Sequence, residues 1–231
     1  MQNELSTQLL AALATRFKAH PWHGINPNNS KPNLYRAYIE TVVGDHMKYE
    51  ICKKTGYLMV DRPNKFSNIF PALYGFIPQT YCREQVAQLC MNATQRTDIV
   101  GDGDPLDICV LSDRPLVHGD LLVDAQIIGG FRMIDGGEAD EKIVAVLKND
   151  HSYSHYEDIS QLPEMLIKKM KHYFLTYKSD PDKPNAKAEV EITETYGRAH
   201  ALEVIKASQA DYQQHFGSAD AKLAAILAQL V

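Results

Sequence analysis

The first residues of the chain space their large hydrophobic side chains as an amphipathic helix does. Leu5, Leu9, Leu13 and Phe17 recur at every fourth position, so they would share one face of a helix. Residues 20–33 are rich in Pro, Asn and Gly, a composition typical of a linker or a long turn. We therefore predict an N-terminal helix and a linker that together precede the main fold.

The middle of the chain, residues 34–147, alternates short apolar runs with turn residues. The runs are LYRAYIETVV, KYEICK, GYLMV, DICVL, LLVDAQIIGGF and KIVAVL. Short β-rich runs at this spacing indicate an antiparallel sheet or a small barrel. Residues 80–100 are polar and have no clear period, and we interpret them as a long excursion from the barrel.

The pattern becomes helical after residue 160. Ser160 is a predicted N-cap, and Pro163 falls in the first turn of the predicted helix, where proline is tolerated. The apolar residues that would share one face of this helix are Leu162, Leu166, Met170, Phe174 and Tyr177.

Two more helices are predicted near the end of the chain. One covers residues 198–216, and its inward-facing residues are Leu202, Ile205 and Tyr212. The other is short and follows a Ser218 cap. These patterns predict an α+β fold, mainly β, in which helices flank a barrel. We predict one domain, made of an extension at 1–33, a barrel and core at 34–178, and C-terminal helices at 179–231.

Composition narrows the class of protein. The 231 residues are 45% hydrophobic and 23% charged, with a net charge of −5, which fits a globular domain and argues against disorder. An acidic chain is a poor candidate for binding nucleic acid. We find neither an apolar run of membrane-spanning length nor the basic and apolar regions of a signal peptide. Four cysteines without a CxxC pair indicate free thiols, so we predict a cytoplasmic protein.

The most informative string is GDGDPLDICVL. Asp102 and Asp104 stand two residues apart, so in an extended chain both would project to one side. Pro105 ends regular strand pairing, and Asp107 then begins an apolar strand. Asp-Gly-Asp-Pro is also good turn chemistry, but a third acid at the mouth of a strand contributes nothing to a turn. An EF-hand calcium loop is excluded because Leu106 stands where that loop needs Asp or Asn.

A second acidic cluster lies in IDGGEADEKIVAVL. Asp135 and Asp140 bracket two glycines between predicted strands, which indicates a hairpin tip. Lys142 enters the next strand on the same side as Asp140. Alone, this cluster is best explained as a solvated hairpin. With the first cluster it supplies five carboxylates without His or Cys, and such hard oxygen ligands suit Mg²⁺ or Mn²⁺ rather than zinc.

A site for phosphate chemistry also needs fixed cations. Candidates recur near the predicted strand ends, and they are Lys48, Arg62, Lys142 and the pair Tyr177 and Lys178. Surface Lys and Arg are usually solvated, and Tyr on a helix face is more often core than ligand. Spacing alone therefore does not single out any one of them.

Taken in order, these strings resemble the soluble family I inorganic pyrophosphatases. The motifs that carry the resemblance run from about Glu40 to Lys178 and are YIE, KYE, VDR, YGF, DGDPLD and TYK. The residues that match the fixed positions of the family's Asp-x-Asp-Pro-x-Asp string are Asp102, Asp104, Pro105 and Asp107. The resemblance implies a five-stranded, OB-like barrel flanked by helices. It also implies an enzyme that hydrolyses pyrophosphate to two orthophosphates and assembles as a homo-oligomer, either a hexamer or a dimer.

The resemblance further implies a role for each candidate residue. Several Mg²⁺ ions, with Mn²⁺ as a substitute, would be held by Asp102, Asp107, Asp135, Asp140, Glu50 and Glu40. Asp104 would be the general base that takes the proton of a metal-activated water, with Tyr74 hydrogen-bonding near it. The residues that would grip and neutralise the two phosphates are Lys48, Arg62, Lys142, Tyr177 and Lys178.

Two positions depart from the family pattern. Phe70 stands where many members have a phosphate-contacting Tyr, and Gly136 stands where many have a Glu.

The sequence is also compatible with two other functions. One is a metal-dependent phosphohydrolase acting on nucleotides or polyphosphate. The other is a non-catalytic OB-type barrel that binds an oligonucleotide or a protein, which is disfavoured for nucleic acid because such grooves need basic and stacking residues.

Overall fold

The computed structural model of the chain describes residues 8, 12–13, 15–29, 31–180, 182, 190–217, 221–222 and 225–226. Most of the predicted N-terminal helix, including Leu5 and Leu9, lies outside these residues, as does Ser218, the predicted cap of the last helix. Within the described residues, no helix has both the length and the apolar character needed to cross a membrane.

Strands make up most of the regular structure in the described residues. In chain order they are β1 Leu34–Thr41, β2 Met47–Ile51, β3 Leu58–Pro63, β4 Leu73–Phe76, β5 Val100–Gly101, β6 Asp107–Leu111, β7 Leu121–Asp135, β8 Glu138–Ala139, β9 Lys142–Leu147 and β10 Val190–Gly197. Three α-helices lie wholly within the same residues, and they are α1 Glu84–Thr94, α2 Glu164–Thr176 and α3 Arg198–Phe216.

Five of these strands close into a ring. They follow the order β1, β4, β6, β9, β7, and β1 pairs with β7 to complete the circle. In β9, Ile143 belongs to one hydrophobic cluster and its neighbour Val144 to another, so the strand is buried on both faces. This double burial explains why KIVAVL is a continuous apolar run rather than an alternating one. The ring and its flanking helices confirm the predicted mainly-β, α+β fold.

The segment that we predicted as C-terminal helices also contains a strand. Strand β10 runs antiparallel to β7, and Tyr196 pairs with Gly130 across the two strands. A Cβ atom on Gly130 would lie only 2.5 Å from the ring of Tyr196. The glycine therefore allows this bulky side chain to lie flat against β7.

The polar excursion at residues 80–100 contains a helix that the sequence pattern did not reveal. Helix α1 buries Val86, Ala87 and Cys90 against the core and has no capping side chain of its own. Instead, Asp211 of α3 accepts hydrogen bonds from the backbone N–H groups of residues 83, 85 and 86, at 3.0–3.2 Å. The capping residue comes from a distant part of the chain, so no local capping motif marks the start of the helix.

The start of α2 differs from the prediction as well. Asp158, rather than Ser160, is the capping residue, and it caps a 3-10 turn at Ile159–Gln161. Leu162 is extended, with ψ of 148°, and α2 begins only after Pro163. A residue before proline avoids the helical region, so the helix cannot continue through this point.

Helix α3 covers the predicted residues 198–216. Of its three predicted inward-facing residues, Ile205 and Tyr212 are buried, while Leu202 is half-buried against the core.

Part of the predicted linker is packed against the fold. We refer to residues 18–24 as the N-terminal strap. Trp22 is 3% exposed, and its indole N–H donates to the Thr80 carbonyl at 2.7 Å. The Gln79 N–H in turn donates to the Trp22 carbonyl at 2.8 Å. The Thr80 hydroxyl accepts the Leu106 N–H at 2.9 Å, so the strap supports the loop that holds the acidic motif.

Candidate active site

A cavity of about 210 Å³ opens at one end of the ring, where β6 begins and the β8–β9 connection passes. The structure brings all thirteen predicted site residues to its wall: Glu40, Lys48, Glu50, Arg62, Tyr74, Asp102, Asp104, Asp107, Asp135, Asp140, Lys142, Tyr177 and Lys178. Of the described residues, eight carboxylates and four basic side chains line this cavity. The wall is therefore acidic overall, although its cations are spread among the acids.

The acidic motif is both a turn and part of the cavity wall. Gly103 has a φ of +77°, and the Asp104 N–H donates to a carboxylate oxygen of Asp102 at 2.9 Å. Of the two conformations considered from the sequence, the structure shows the Asp-Gly turn rather than an extended chain, because Asp side chains readily bond the backbone two residues on. Both carboxylates nevertheless line the cavity. The turn interpretation and the site interpretation of the motif are thus compatible.

Asp107 and Lys142 meet because the first residues of two neighbouring strands are paired. Parallel β6 and β9 align Asp107 with Lys142. The Lys142 ammonium donates to both Asp107 and Asp140, and Lys142 is 3% exposed. Asp140 and Lys142 therefore lie on the same side of the chain, as predicted. The lysine stands between two carboxylates that the resemblance assigns to metal.

Tyr74 lies against Asp107 rather than near Asp104. Its hydroxyl donates to the Asp107 carboxylate at 2.5 Å. Strand β4 aligns Tyr74 with Cys109 of β6, and Asp107 lies two residues along the same face. Diagonal neighbours of this kind are within reach of a long aromatic side chain. The strand register thus determines the partner of the tyrosine.

The second acidic cluster forms the predicted hairpin tip. Gly136 and Gly137 have φ of +60° and +93° and connect β7 to β8 as a two-residue turn. Asp135 accepts a hydrogen bond from the Lys178 ammonium at 2.5 Å. Apart from Gly136 itself and its two chain neighbours, no described atom lies within 4 Å of a Cβ built on Gly136, whereas Glu138 of β8 lines the cavity. Glu138 was not among the predicted residues, since only the hairpin register brings it to the wall.

The β2–β3 hairpin carries the basic side of the cavity. Its register sets Lys48 opposite Arg62, and both contact Asp61, with 3.4 Å between the Lys48 ammonium and that carboxylate. Lys48 also contacts Glu50 of the same strand. The Lys53 ammonium, at the hairpin turn, contacts the Asp104 carboxylate. Sequence analysis missed Asp61 and Lys53, because their contacts depend on the fold of the hairpin.

Burial and mutual repulsion raise the pKa of several cavity carboxyls. Burial and the neighbouring Asp140 raise the pKa of Asp102 to about 9. Burial also raises the pKa of Glu40 to about 8, although the Ile51 N–H bonds its carboxylate at 2.8 Å. The pKa of Asp140 is raised by burial too, with Lys142 acting in the opposite direction. These acids lack enough positive charge from the chain itself.

The donor set fits a hard divalent cation by its chemistry. All of its members are carboxylates, the ligands that Mg²⁺ and Mn²⁺ prefer, and the raised pKa values of Asp102 and Asp140 show a need for added positive charge at these two acids. Among the described residues, however, no three acidic, histidine or cysteine side chains already form a metal centre. Lys142, placed between Asp107 and Asp140, occupies part of the space between them. The chain therefore offers the ligands without a preformed coordination shell.

Comparison with known proteins gives one consistent result. The family model described as inorganic pyrophosphatase matches residues 37–213. An inorganic pyrophosphatase of Chlamydia trachomatis is 44% identical over 199 residues, covering 84% of this chain and 94% of its own. A soluble inorganic pyrophosphatase of Chlamydomonas reinhardtii is 37% identical, covering 86% and 91%. Among solved structures, the inorganic pyrophosphatase of Thermus thermophilus superposes with a TM-score of 0.69 at 29% identity, covering 84% and 99%.

Proposed function

The chain belongs to the inorganic pyrophosphatase family and hydrolyses pyrophosphate to two phosphates with divalent cations, and we propose that the acidic cavity is where it does so, with Mg²⁺ as the cation. The observation that carries this proposal is the meeting of the two acidic clusters with Lys48, Arg62 and Lys178 around one cavity. That arrangement suits a small, highly charged phosphate ligand and leaves no need for a covalent intermediate.

Six carboxylates would hold the cations, and they are Asp102, Asp107, Asp135, Asp140, Glu50 and Glu40. Support for this set comes from their shared place on the cavity wall and from the raised pKa values of the buried members. When bound, divalent cations would acidify water and neutralise phosphate oxygens. We propose that the Lys142 ammonium, which contacts two of these acids, then turns toward the substrate.

Asp104 would accept the proton of the attacking water. It is half exposed at the cavity wall, and its contact with Lys53 leaves part of the carboxylate free for water. Tyr74 and Lys142 both contact Asp107 and not Asp104, which separates the proposed base from the most crowded charges. A positioned carboxylate of this kind contributes about 10²–10⁴-fold to a rate.

The two phosphates would be gripped by side chains from three elements. Lys48 and Arg62 come from the β2–β3 hairpin, Lys142 from β9, and Tyr177 with Lys178 from the end of α2. Tyr74 would contribute through its hydroxyl on Asp107. Fixed cations and donors aimed at the leaving phosphate stabilise the charge that develops there.

The direct test is phosphate release from pyrophosphate, measured with Mg²⁺ and with Mn²⁺. We expect Mg²⁺ to support the faster turnover, and pyrophosphate to be cleaved faster than nucleoside triphosphates or polyphosphate. Asp104→Asn should lower kcat by about 10²–10⁴-fold. Asp113→Asn, outside the cavity, is the matched control and should keep full activity. Equal loss in both variants, or full activity in Asp104→Asn, would remove the assignment of the base.

We also propose that the protein works in the cytoplasm as a homo-oligomer and does not bind nucleic acid. Four free cysteines support a reducing compartment. Exposed apolar side chains such as Val117 and Tyr57 are candidates for burial between subunits. Light scattering of the purified protein tests the assembly, and a monomer would refute it.

A further inference from the structure

Tyr173 is a cavity residue that the sequence motifs did not mark. It lies on α2, one turn before Tyr177, and both rings line the cavity. The two rings are stacked, with centroids 5.5 Å apart and planes 13° apart. Residues four apart on a helix share a face, so Tyr173 belongs to the same wall as the tyrosine expected to contact phosphate.

No described residue hydrogen-bonds the Tyr173 hydroxyl, and among the described residues only Thr195 Oγ1 is a fully buried side-chain atom without a partner. The hydroxyl of Tyr173 is therefore open to the cavity, although the residue as a whole is only 5% exposed. A phenol O–H at a cavity wall can donate to water or to a bound molecule. The rings of Phe70 and Phe174, with centroids 4.9 and 5.4 Å from that of Tyr173, carry no polar atom. The acceptor for the hydroxyl therefore comes from the cavity, as water when the site is empty and as a bound molecule otherwise.

The charges around Tyr173 indicate what that molecule is. Burial and then the neighbouring Tyr177 raise the pKa of this phenol above its ordinary value, while Arg62 and Lys142 act in the opposite direction. Two cations proposed to bind phosphate are thus close enough to influence its hydroxyl. A neutral donor among such cations favours a polyanion that offers many acceptor oxygens.

We propose that Tyr173 is a substrate-binding residue whose hydroxyl donates a hydrogen bond to a phosphate oxygen of pyrophosphate. The inference rests on the proposed function of the cavity. It also gives a reason for the hydrophobic residue at position 70. The ring of Phe70 packs against both Tyr173 and Tyr74, so it holds the wall together while its neighbour carries the hydroxyl.

The test moves this hydroxyl between the two neighbouring rings. Tyr173→Phe removes it, and we expect kcat/KM for pyrophosphate to fall about tenfold or more, because hydrogen bonds to charged groups are strong. Inhibition by inorganic phosphate should weaken in parallel. Adding Phe70→Tyr to Tyr173→Phe restores a hydroxyl to the same wall, and we expect kcat/KM to return to within about threefold of the wild type.

Tyr153→Phe is the matched control, since it removes a hydroxyl from a half-buried tyrosine outside the cavity. It should change kcat/KM by less than about twofold, and all variants should keep the melting temperature of the wild type. The proposal fails if Tyr173→Phe matches the wild type, or if the double variant does not recover the loss. A wild type that does not cleave pyrophosphate would instead refute the function itself, so the two failures are distinguishable.

Discussion

Two charged clusters lie on opposite sides of the same short stretch of chain, residues 140–142. Asp140 and Lys142 face the cavity, whereas Glu141 faces inward into what we call the Arg132 network: Arg132, Glu141, Glu194, Tyr196 and His200. In this network the Glu141 carboxylate accepts from the Arg132 guanidinium at 3.3 Å and from the Tyr196 hydroxyl at 2.7 Å. Strand alternation sends neighbouring charges to opposite faces.

The two clusters differ in where their compensating charge comes from. Burial raises the pKa of Glu141 to about 7, but Arg132 and Tyr196 offset part of that effect. In the cavity, burial raises the pKa of Asp102 to about 9. The neighbouring group with the largest effect on this pKa is another acid, Asp140, which raises it further. In the Arg132 network, the chain's own cation and hydroxyl partly balance the buried acid. In the cavity, the acids outnumber the chain's own cations. Uncompensated charge, rather than charge as such, therefore marks the functional site.

Removing one acid from the cavity should have the largest effect on turnover. Asp107→Asn should lower pyrophosphate turnover by about 10³-fold. The free energy of unfolding without metal should change by less than about 1 kcal/mol, since the amide can still accept from Tyr74 and Lys142. Phosphate release and urea unfolding measure the two quantities. Asp124→Asn, a surface acid paired with Arg36 and Lys148, should leave turnover unchanged, and a similar loss there would contradict the assignment.

Removing one acid from the Arg132 network should have the opposite outcome. Glu141→Leu leaves the buried Arg132 and Tyr196 short of a partner and should cost about 3 kcal/mol of unfolding free energy. Glu141→Gln should cost less, because its amide oxygen can still accept from Tyr196. Urea denaturation gives both values. If Glu141→Leu were as stable as the wild type, the network would not be a structural element.

Asp211 is a buried acid whose described hydrogen-bond partners are backbone N–H groups rather than a cation. Asp211 is fully buried and accepts from backbone N–H groups at the start of α1. Asp211→Ala should destabilise the protein by about 2 kcal/mol, because it leaves those donors unpaired, and Asp211→Asn should cost about half as much. Hydrogen exchange of the α1 amides measures the effect. Protection that stays unchanged in Asp211→Ala would show that α1 does not depend on this cap.

Asp211 also shows where prediction from sequence ends. The strands of the ring are visible as apolar runs because both of their faces are buried, and α3 is visible from its own periodicity. Helix α1 takes its cap from Asp211, 128 residues from Arg83, so no local capping motif marks its start. The DGDPLD string places three cavity acids within six residues. Lys53 reaches Asp104, and Tyr173 reaches the cavity wall, only through hairpin and helix packing, which no short motif encodes.

The last test concerns the stability of the metal-free protein as a function of pH. The folded pKa values of Asp102, at about 9, and Glu40, at about 8, lie above those of the unfolded chain. Between pH 5 and 8 the folded state therefore holds protons that the unfolded state has lost, and unfolding free energy should fall as pH rises. Urea titrations at several pH values measure this slope, and Asp102→Asn should flatten it.

Asp158→Asn is the matched control. Burial disfavours the charged form of Asp158, but the N–H groups of Arg198 and Ser160 hold the pKa of its carboxyl below the usual value, so the carboxyl is ionised in both the folded and the unfolded state over this pH range. Saturating Mg²⁺ should also flatten the slope, because cations then replace the protons. A metal-free protein whose stability rose with pH over this range would show that the cavity acids are compensated within the chain, and the contrast with the Arg132 network would disappear.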